Sequence, residues 1–490
     1  MAAPPGQTPS RRGRRGPGRL LPGRRFPHWL RRLPAPRAPH GPLRTGAACC
    51  AVLLLLPLTA CGGASVSDDR SGTFTTMGFG LGDAIATSRI DDARKALAPK
   101  GMKLQINEGA FDEQQFLSAV AAGDPPDVVN MDRTLMGGYA ARGALLPLNE
   151  CLRKEHVDTG KYQKSAIKET TLDGEIYGMP DSFDSRILLM DASVLRKAGH
   201  GATDKDVDTS DLKGLRKLTS ELKQSQGRKL TRIGFDPKIP EFFPMWVRAN
   251  GGSLLSPDGR TARLDSEPVV EALTYTAKLI EDQGGWGKFK ALRDSFDQFG
   301  KGNQLARHQV GAYPMEDWYV AVLGDTSPQV DLGSGYVKDR EGKPVNYVSG
   351  TGWAIPKGSR HVDEACTFIK TMTSTRAWVK AAKTKAEEVR SHDAVYTGDF
   401  TGNLEADRII ESKVWKPSGK KAFDDATRRL YDIQAEGFAV PANAAGSEFK
   451  QAWQNACNRV LSGDQTPRQA LEEAQGEAQS ALDIANQGRR

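Results

Sequence analysis

Six cysteines, seven histidines and sixty acidic residues are the groups in this chain that could carry covalent or acid–base chemistry. A zinc hydrolase of the His-Glu-x-x-His type needs two histidines one helical turn apart. His156, His200, His308, His361 and His392 show no such spacing. No Gly-x-Ser-x-Gly elbow presents a nucleophilic serine. No Gly-x-x-x-x-Gly-Lys-Ser/Thr loop is present to cradle a nucleoside triphosphate. Sixty carboxylates always supply some pair at glycosidase spacing, so a pair alone carries no weight. No Cys-x-x-Cys occurs, and no thiolate metal site is expected. One cysteine has distinctive surroundings: Cys61 stands directly after Leu58-Thr59-Ala60, which close the apolar run 47–58.

That run is too short to span a bilayer as a helix, for which roughly 20 apolar residues are needed. Arginines before it and small residues after it fit the apolar core of a secretory signal. Leu58-Thr59-Ala60-Cys61 resembles a bacterial lipobox, in which the cysteine is lipidated and becomes the mature first residue. Cys49 and Cys50 lack the Leu-x-Ala lead. A single acyl chain binds membranes marginally, and two or more anchor stably. Residues 1–60 are therefore expected to be a leader and Cys61 the lipidation site. Residues 61–72, rich in Gly, Ser and Asp, read as a flexible tether. The mature protein is expected outside the cytoplasm, held to the outer face of the cell membrane. Within the leader, residues 1–45 are rich in Pro, Gly and Arg and cannot bury a core. They read as a long basic n-region, with Arg24-Arg25-Phe26 as a loose twin-arginine signal, or as sequence upstream of the true start.

The leader also explains the charge. The chain carries 68 basic and 60 acidic residues, a net of +8. Residues 1–60 hold 11 arginines and no acid, which leaves 57 basic against 60 acidic groups, a net of −3. The basicity belongs to export and implies no nucleic-acid partner. Cys151, Cys366 and Cys457 remain beyond the leader. One disulfide plus one free thiol suits an oxidising location, with the pairing open.

Strand-like and helix-like segments alternate from residue 73. Residues 73–79, 103–107 and 127–130 read as strands, and 83–98 and 112–122 as the helices between them. This rhythm predicts a parallel α/β sheet. Further strands are expected over 187–190, 232–235, 310–313 and 347–355. Further helices are expected over 211–224, 269–282, 362–373 and 448–461. A last helix opens at Thr466-Pro467, an N-cap followed by proline at the first helical position. The length suits two lobes.

Several segments together resemble the extracellular solute-binding proteins of bacterial sugar ABC importers. They are Ala122-Gly123-Asp124-Pro125-Pro126-Asp127-Val128, Gly137-Gly138-Tyr139-Ala140, Asp173-Gly174-Glu175-Ile176-Tyr177-Gly178-Met179-Pro180, Ala249-Asn250-Gly251-Gly252, Met315-Glu316-Asp317-Trp318, Gly352-Trp353-Ala354-Ile355-Pro356 and Ser462-Gly463-Asp464-Gln465-Thr466-Pro467. Their order covers nearly all of residues 73–485. The resemblance implies an α/β, two-lobed, periplasmic-binding-protein-like (type II) fold with a hinge and an interlobe ligand cleft. It implies one lobe from 73–186 and 332–385 and another from 187–331 and 386–485, with crossings near 181–187, 331–336 and 385–399. It also implies a maltose-binding-protein-like function without catalysis, metal or cofactor. The partners would be a small-molecule solute of the carbohydrate class and membrane-embedded ABC permease subunits; the protein would act as a monomer. A secreted carbohydrate-active hydrolase, or a surface sensor or adhesion module on the same fold, would share these features.

A sugar offers hydroxyls at its rim and an apolar face, which call for carboxylates, amides or guanidinium groups and a flat aromatic. The resemblance places Asp132 and Arg133, just after a strand, against the sugar. It places Asp83 after the first strand, where capping a helix is the competing role, and Asp184 in the first crossing. Trp318 is the stacking aromatic it implies, with Trp353 and Phe242 as further candidates. Maltose-type members carry another aromatic near the start of the penultimate helix, and Lys450 stands there in this chain.

Overall fold

The computed structural model describes residues 72–392 and 394–487. The leader, Cys61 and the tether as far as residue 71 lie outside these residues.

The first lobe is built on the order β2-β1-β3-β10-β4. Strands β1 (Thr73–Phe79), β2 (Lys103–Glu108) and β3 (Val128–Asp132) are parallel, as the rhythm predicts. Helices Ala84–Leu97 and Glu113–Ala121 form the crossovers that parallel pairing requires. β4 (Met179–Pro180) and β10 (Thr351–Ala354) complete the sheet, and β10 runs antiparallel to both neighbours. It re-enters from the other lobe, so an all-parallel sheet is not formed. Side chains alternate between the faces with the period of two of a pleated strand. Val128 and Trp353 pack with Phe74, Ile90 and Phe368 on one face. Val129 and Ala354 pack with Phe116 and Tyr139 on the other.

The second lobe has the order β9-β5-β8-β7-β6, from β5 (Arg186–Asp191), β6 (Gln224–Gln226), β7 (Lys229–Phe235), β8 (Val310–Glu316) and β9 (Leu332–Gly335). β8 is parallel to β7 and antiparallel to β5. Ile187, Leu188, Leu189 and Met190 are all buried. A central strand covered on both faces needs such a continuous apolar run.

Two expected crossings move. The segment near 331–336 is strand β9, hydrogen-bonded along β5. The second passage therefore comes after it, before β10. There Asn346–Tyr347 pairs in parallel with Gly437–Phe438. The single strand expected over 347–355 is broken at Gly350, which has φ +139°. A Cβ at Gly350 would lie 2.4 Å from the Ser182 carbonyl oxygen, so only glycine allows this approach. The third passage is drawn out: Val395, inside the expected crossing, already packs in the second core and donates its N–H to the Gly324 carbonyl, but the chain then returns to the first lobe. Ala386, Tyr396, Ala406, Ile410 and Val414 pack with Ile85 and Trp378 on the first lobe. The helix Lys421–Ile433 is the first to return, with Phe423 and Leu430 in the second core.

Cys151 and Cys366 form a disulfide, and Cys457 is a buried free thiol. The bridge joins helix Asn149–Lys154 to helix Val362–Thr373 within the first lobe. Among the described residues no helix is long and apolar enough to cross a membrane.

Candidate ligand-binding site

The carboxyl ends of β3 and β8 meet the passages between the lobes: the Arg133 N–H donates to the Gly350 carbonyl and the Asp317 N–H to the Ser185 carbonyl. Ligands favour such strand ends in open α/β sheets. Asp83 follows β1 and caps helix Ala84–Leu97, its Oδ1 accepting the Ala86 N–H at 2.8 Å. It is exposed, so capping one donor leaves its other oxygen open to solvent. Asp132 ends β3 and caps helix Arg133–Ala141, accepting the Thr134 N–H and hydroxyl at 2.9 Å each. Its Oδ2 accepts from Lys450 Nζ at 3.0 Å. Burial would raise the Asp132 pKa, but Lys450 and Thr134 outweigh it and hold the carboxyl below its ordinary value. The side chain is still 38% exposed.

Lys450 reaches Asp132 because helix Ser447–Ser462 of the second lobe lies against helix Arg133–Ala141 of the first. Two glycines permit this. A Cβ at Gly137 would lie 2.5 Å from the Asn443 carbonyl oxygen, and one at Gly138 would lie 3.1 Å from Gly446 Cα. Arg142 and Glu448 form a second ion pair across the same contact.

Arg133 does not face the cleft. It is fully buried. Its Nε donates to Glu169 at 2.8 Å, and Nη1 donates to the carbonyls of Thr351, at 3.1 Å, and Ser182. The expected Asp132–Arg133 pair is thus divided: the carboxylate stays partly exposed against Lys450, while the guanidinium holds the segments that cross between the lobes. Trp353 is also removed from the cleft. It is fully buried, with ring centroids 5.1 Å from Phe79 and 4.9 Å from Phe368. Phe242 is buried too, and its ring backs the guanidinium of Arg186 at 4.5 Å. Core packing claims both aromatics, since each continues an apolar face.

Arg186 is a residue that sequence reasoning missed. It lies between the rings of Phe242 and Tyr347, each 4.5 Å away. It donates to the Tyr347 carbonyl at 2.6 Å, to Glu316 at 2.8 Å and to Ser349 Oγ at 2.9 Å. The available signal was a lone arginine opening the apolar run Ile187-Leu188-Leu189-Met190. Asp184 stands beside it, with backbone bonds to Ser349 and Oδ2 accepting Ser349 Oγ at 3.3 Å. Burial and then Glu316 push its pKa up to about 6.

Trp318 comes from the end of β8. Its indole N–H donates to Glu316 at 3.1 Å. Its ring is stacked on Phe299 with centroids 5.8 Å apart, and it is half-buried. Lys385, also unforeseen, donates to Asp399 at 3.0 Å. Burial would lower its pKa, but Asp399, Asp83 and Asp317 raise it above the ordinary value. Those neighbours come from both lobes, and they bring Asp83 and Asp317 into one electrostatic neighbourhood.

A cavity of about 700 Å³ lies elsewhere between the lobes. Lys168, Glu169 and Asp173 line it from one side, and Asp258, Arg260 and Phe438 from the other. None of Asp83, Asp132, Asp184 or Trp318 lines it.

The family profile described as bacterial extracellular solute-binding protein matches residues 95–387. The chain belongs to that family. The diacetylchitobiose-binding protein DasA of Streptomyces coelicolor is 23% identical over 371 residues, covering 72% of this chain and 83% of that protein. An arabinooligosaccharide-binding protein of Bacillus subtilis is 21% identical over 332 residues, covering 65% and 73%. Among solved structures, CpMnBP1 with mannotriose bound gives a TM-score of 0.66 at 21% identity, covering 83% of this chain and 100% of that one. The GacH receptor of Streptomyces glaucescens, solved unliganded and with acarbose, gives 0.62 at 18% identity, covering 84% and 99%. These likenesses establish the two-lobed solute-binding fold.

Proposed function

We propose that this solute-binding protein captures a sugar or oligosaccharide outside the cytoplasm and delivers it to membrane-embedded ABC permease subunits. One observation carries the reading. Asp184 lies in the field of Glu316, which holds the indole N–H of the half-buried Trp318, while Asp132 keeps a partly exposed carboxylate where the two lobes touch. Carboxylates match a sugar's hydroxyl rim and the indole matches its apolar face. The names of the relatives, which bind diacetylchitobiose and arabino-oligosaccharides, agree with this class. Asp83, Asp132, Asp184 and Trp318 are the ligand contacts in this proposal, and Arg133, Trp353 and Phe242 support them from behind. The protein works as a monomer, tethered through lipid on Cys61, and returns its ligand chemically unchanged.

The test is calorimetry on the purified protein with mannotriose, diacetylchitobiose, an arabino-oligosaccharide and a maltodextrin. At least one should bind with unit stoichiometry and be recovered intact by mass spectrometry. Trp318→Ala should weaken that binding by about 2–4 kcal/mol, the usual range for a dominant contact. Cleavage of the bound sugar, or a panel that binds nowhere, sinks the reading. A separate check on the anchor is the N-terminal peptide from the native host, which should begin at a lipid-modified Cys61.

A further inference from the structure

The cleft holds cations and carboxylates in unequal supply. Each of its cations has a carboxylate partner. Arg186 pairs with Glu316, Lys385 with Asp399 and Lys450 with Asp132. Among the described residues neither Asp184 nor Asp317 forms an ion pair, although the nearby Arg186 draws both carboxyls down. β5 and β8 place them together: Glu316 is the register partner of Arg186, and the Asp317 N–H donates to the Ser185 carbonyl at 2.9 Å. Asp317 is only 4% exposed. Its Oδ1 accepts the Trp318 N–H at 2.8 Å, and no donor among the described residues reaches its Oδ2. Asp184 receives one long bond from Ser349 at 3.3 Å. A nearly buried carboxylate with an unfilled acceptor is costly unless its partner arrives from outside.

We propose that the ligand carries a protonated amine, as an unacetylated amino sugar does, and that its ammonium is held by Asp184 and Asp317 beside the Trp318 ring. This rests on the sugar-binding reading and narrows its substrate class. An ammonium brings three donors and no acceptor, which fits carboxylates with open oxygens. The indole face adds cation–π attraction. The electrostatics agree. Burial and then Glu316 raise Asp184, while burial and then Asp184 raise Asp317, with Arg186 opposing both. A cationic guest relieves that repulsion.

The experiment compares three disaccharides on the purified protein near neutral pH: β-1,4-linked glucosamine dimer, its N,N′-diacetyl form and cellobiose. The amine dimer should bind at least about tenfold more tightly than either neutral dimer, the scale of one charge-assisted hydrogen bond. Asp184→Asn and Asp317→Asn should each bring that ratio to about threefold or less. Asp184 is less buried, so its variant keeps the test decisive if Asp317→Asn lowers stability. Neutral dimers that bind as tightly as the amine, or a preference that survives Asp184→Asn, overturn the proposal. Absence of binding by all three also overturns it, while sugar capture itself stands or falls on the oligosaccharide panel.

Discussion

Asp184 shows how a residue's neighbours reach the behaviour of the whole fold. Its folded pKa of about 6 lies above the ordinary 3.8, so the folded state keeps a proton that the unfolded chain releases. The stabilising contribution of that proton is complete below pH 3.8 and is lost as pH rises through about 6. Asp184→Asn removes the charge and keeps the shape. It should raise the unliganded protein's stability at about pH 7.5, by on the order of 1 kcal/mol, and change it little at about pH 4. Thermal melts at the two pH values decide this, and equal effects at both would count against it. At this scale the motifs marked Asp132 and Trp318 as candidates, and the structure leaves both side chains partly exposed. The sequence was not legible where burial decided the role. Arg133 and Trp353 belong to the same motifs, yet sheet pairing turns them inward. Lys385 and Arg186 carry no motif, because their partners come from distant segments.

Elements were read more reliably than their assignment to lobes. The helix expected over 362–373 is Val362–Thr373, and Thr466 Oγ1 accepts the Gln469 N–H at the start of helix Pro467–Gln487. Local periodicity and capping suffice for such elements. The crossings depend on which sheet edge a strand joins, and spacing alone does not encode that; β9 illustrates it. The disulfide is similar: three cysteines left the pairing open, and only the packing of helix Asn149–Lys154 on Val362–Thr373 brings Cys151 and Cys366 within a Cα separation of 5.5 Å. The bridge spans 215 residues of sequence, so it restricts the unfolded chain strongly. Replacing both cysteines by serine should cost about 2–5 kcal/mol in denaturant unfolding. Without reductant, thiol titration of the native mature protein should find Cys457 unreactive and only one thiol after unfolding. Two or three thiols would contradict the pairing.

At the scale of the molecule, three ion pairs among the described residues join the lobes directly. Lys450–Asp132 at 3.0 Å and Arg142–Glu448 lie on one contact, and Arg260–Asp173 at 3.4 Å lies beside the large cavity. All are between a third and a little over half exposed, so each contributes at most about 1 kcal/mol and is open to screening. Together they can still bias an equilibrium between open and closed lobes whose states differ by only a few kcal/mol. The Lys450 pair matters most for function, because it occupies the carboxylate assigned here to the ligand. An incoming sugar must exchange its hydroxyls for the ammonium on Asp132, whereas Trp318 and Asp184 are free of that competition. Raising salt from about 0.05 M to about 1 M shortens the screening length to roughly 3 Å. The unliganded protein should therefore expand in small-angle scattering as salt rises, and Lys450→Met should expand it already at low salt. A bound ligand that touches both lobes should restore the compact form in either case, because it interacts better with the closed state than with the open one. A radius of gyration indifferent to salt, to Lys450→Met and to ligand would mean that these pairs decorate a rigid cleft and that capture does not proceed by closure.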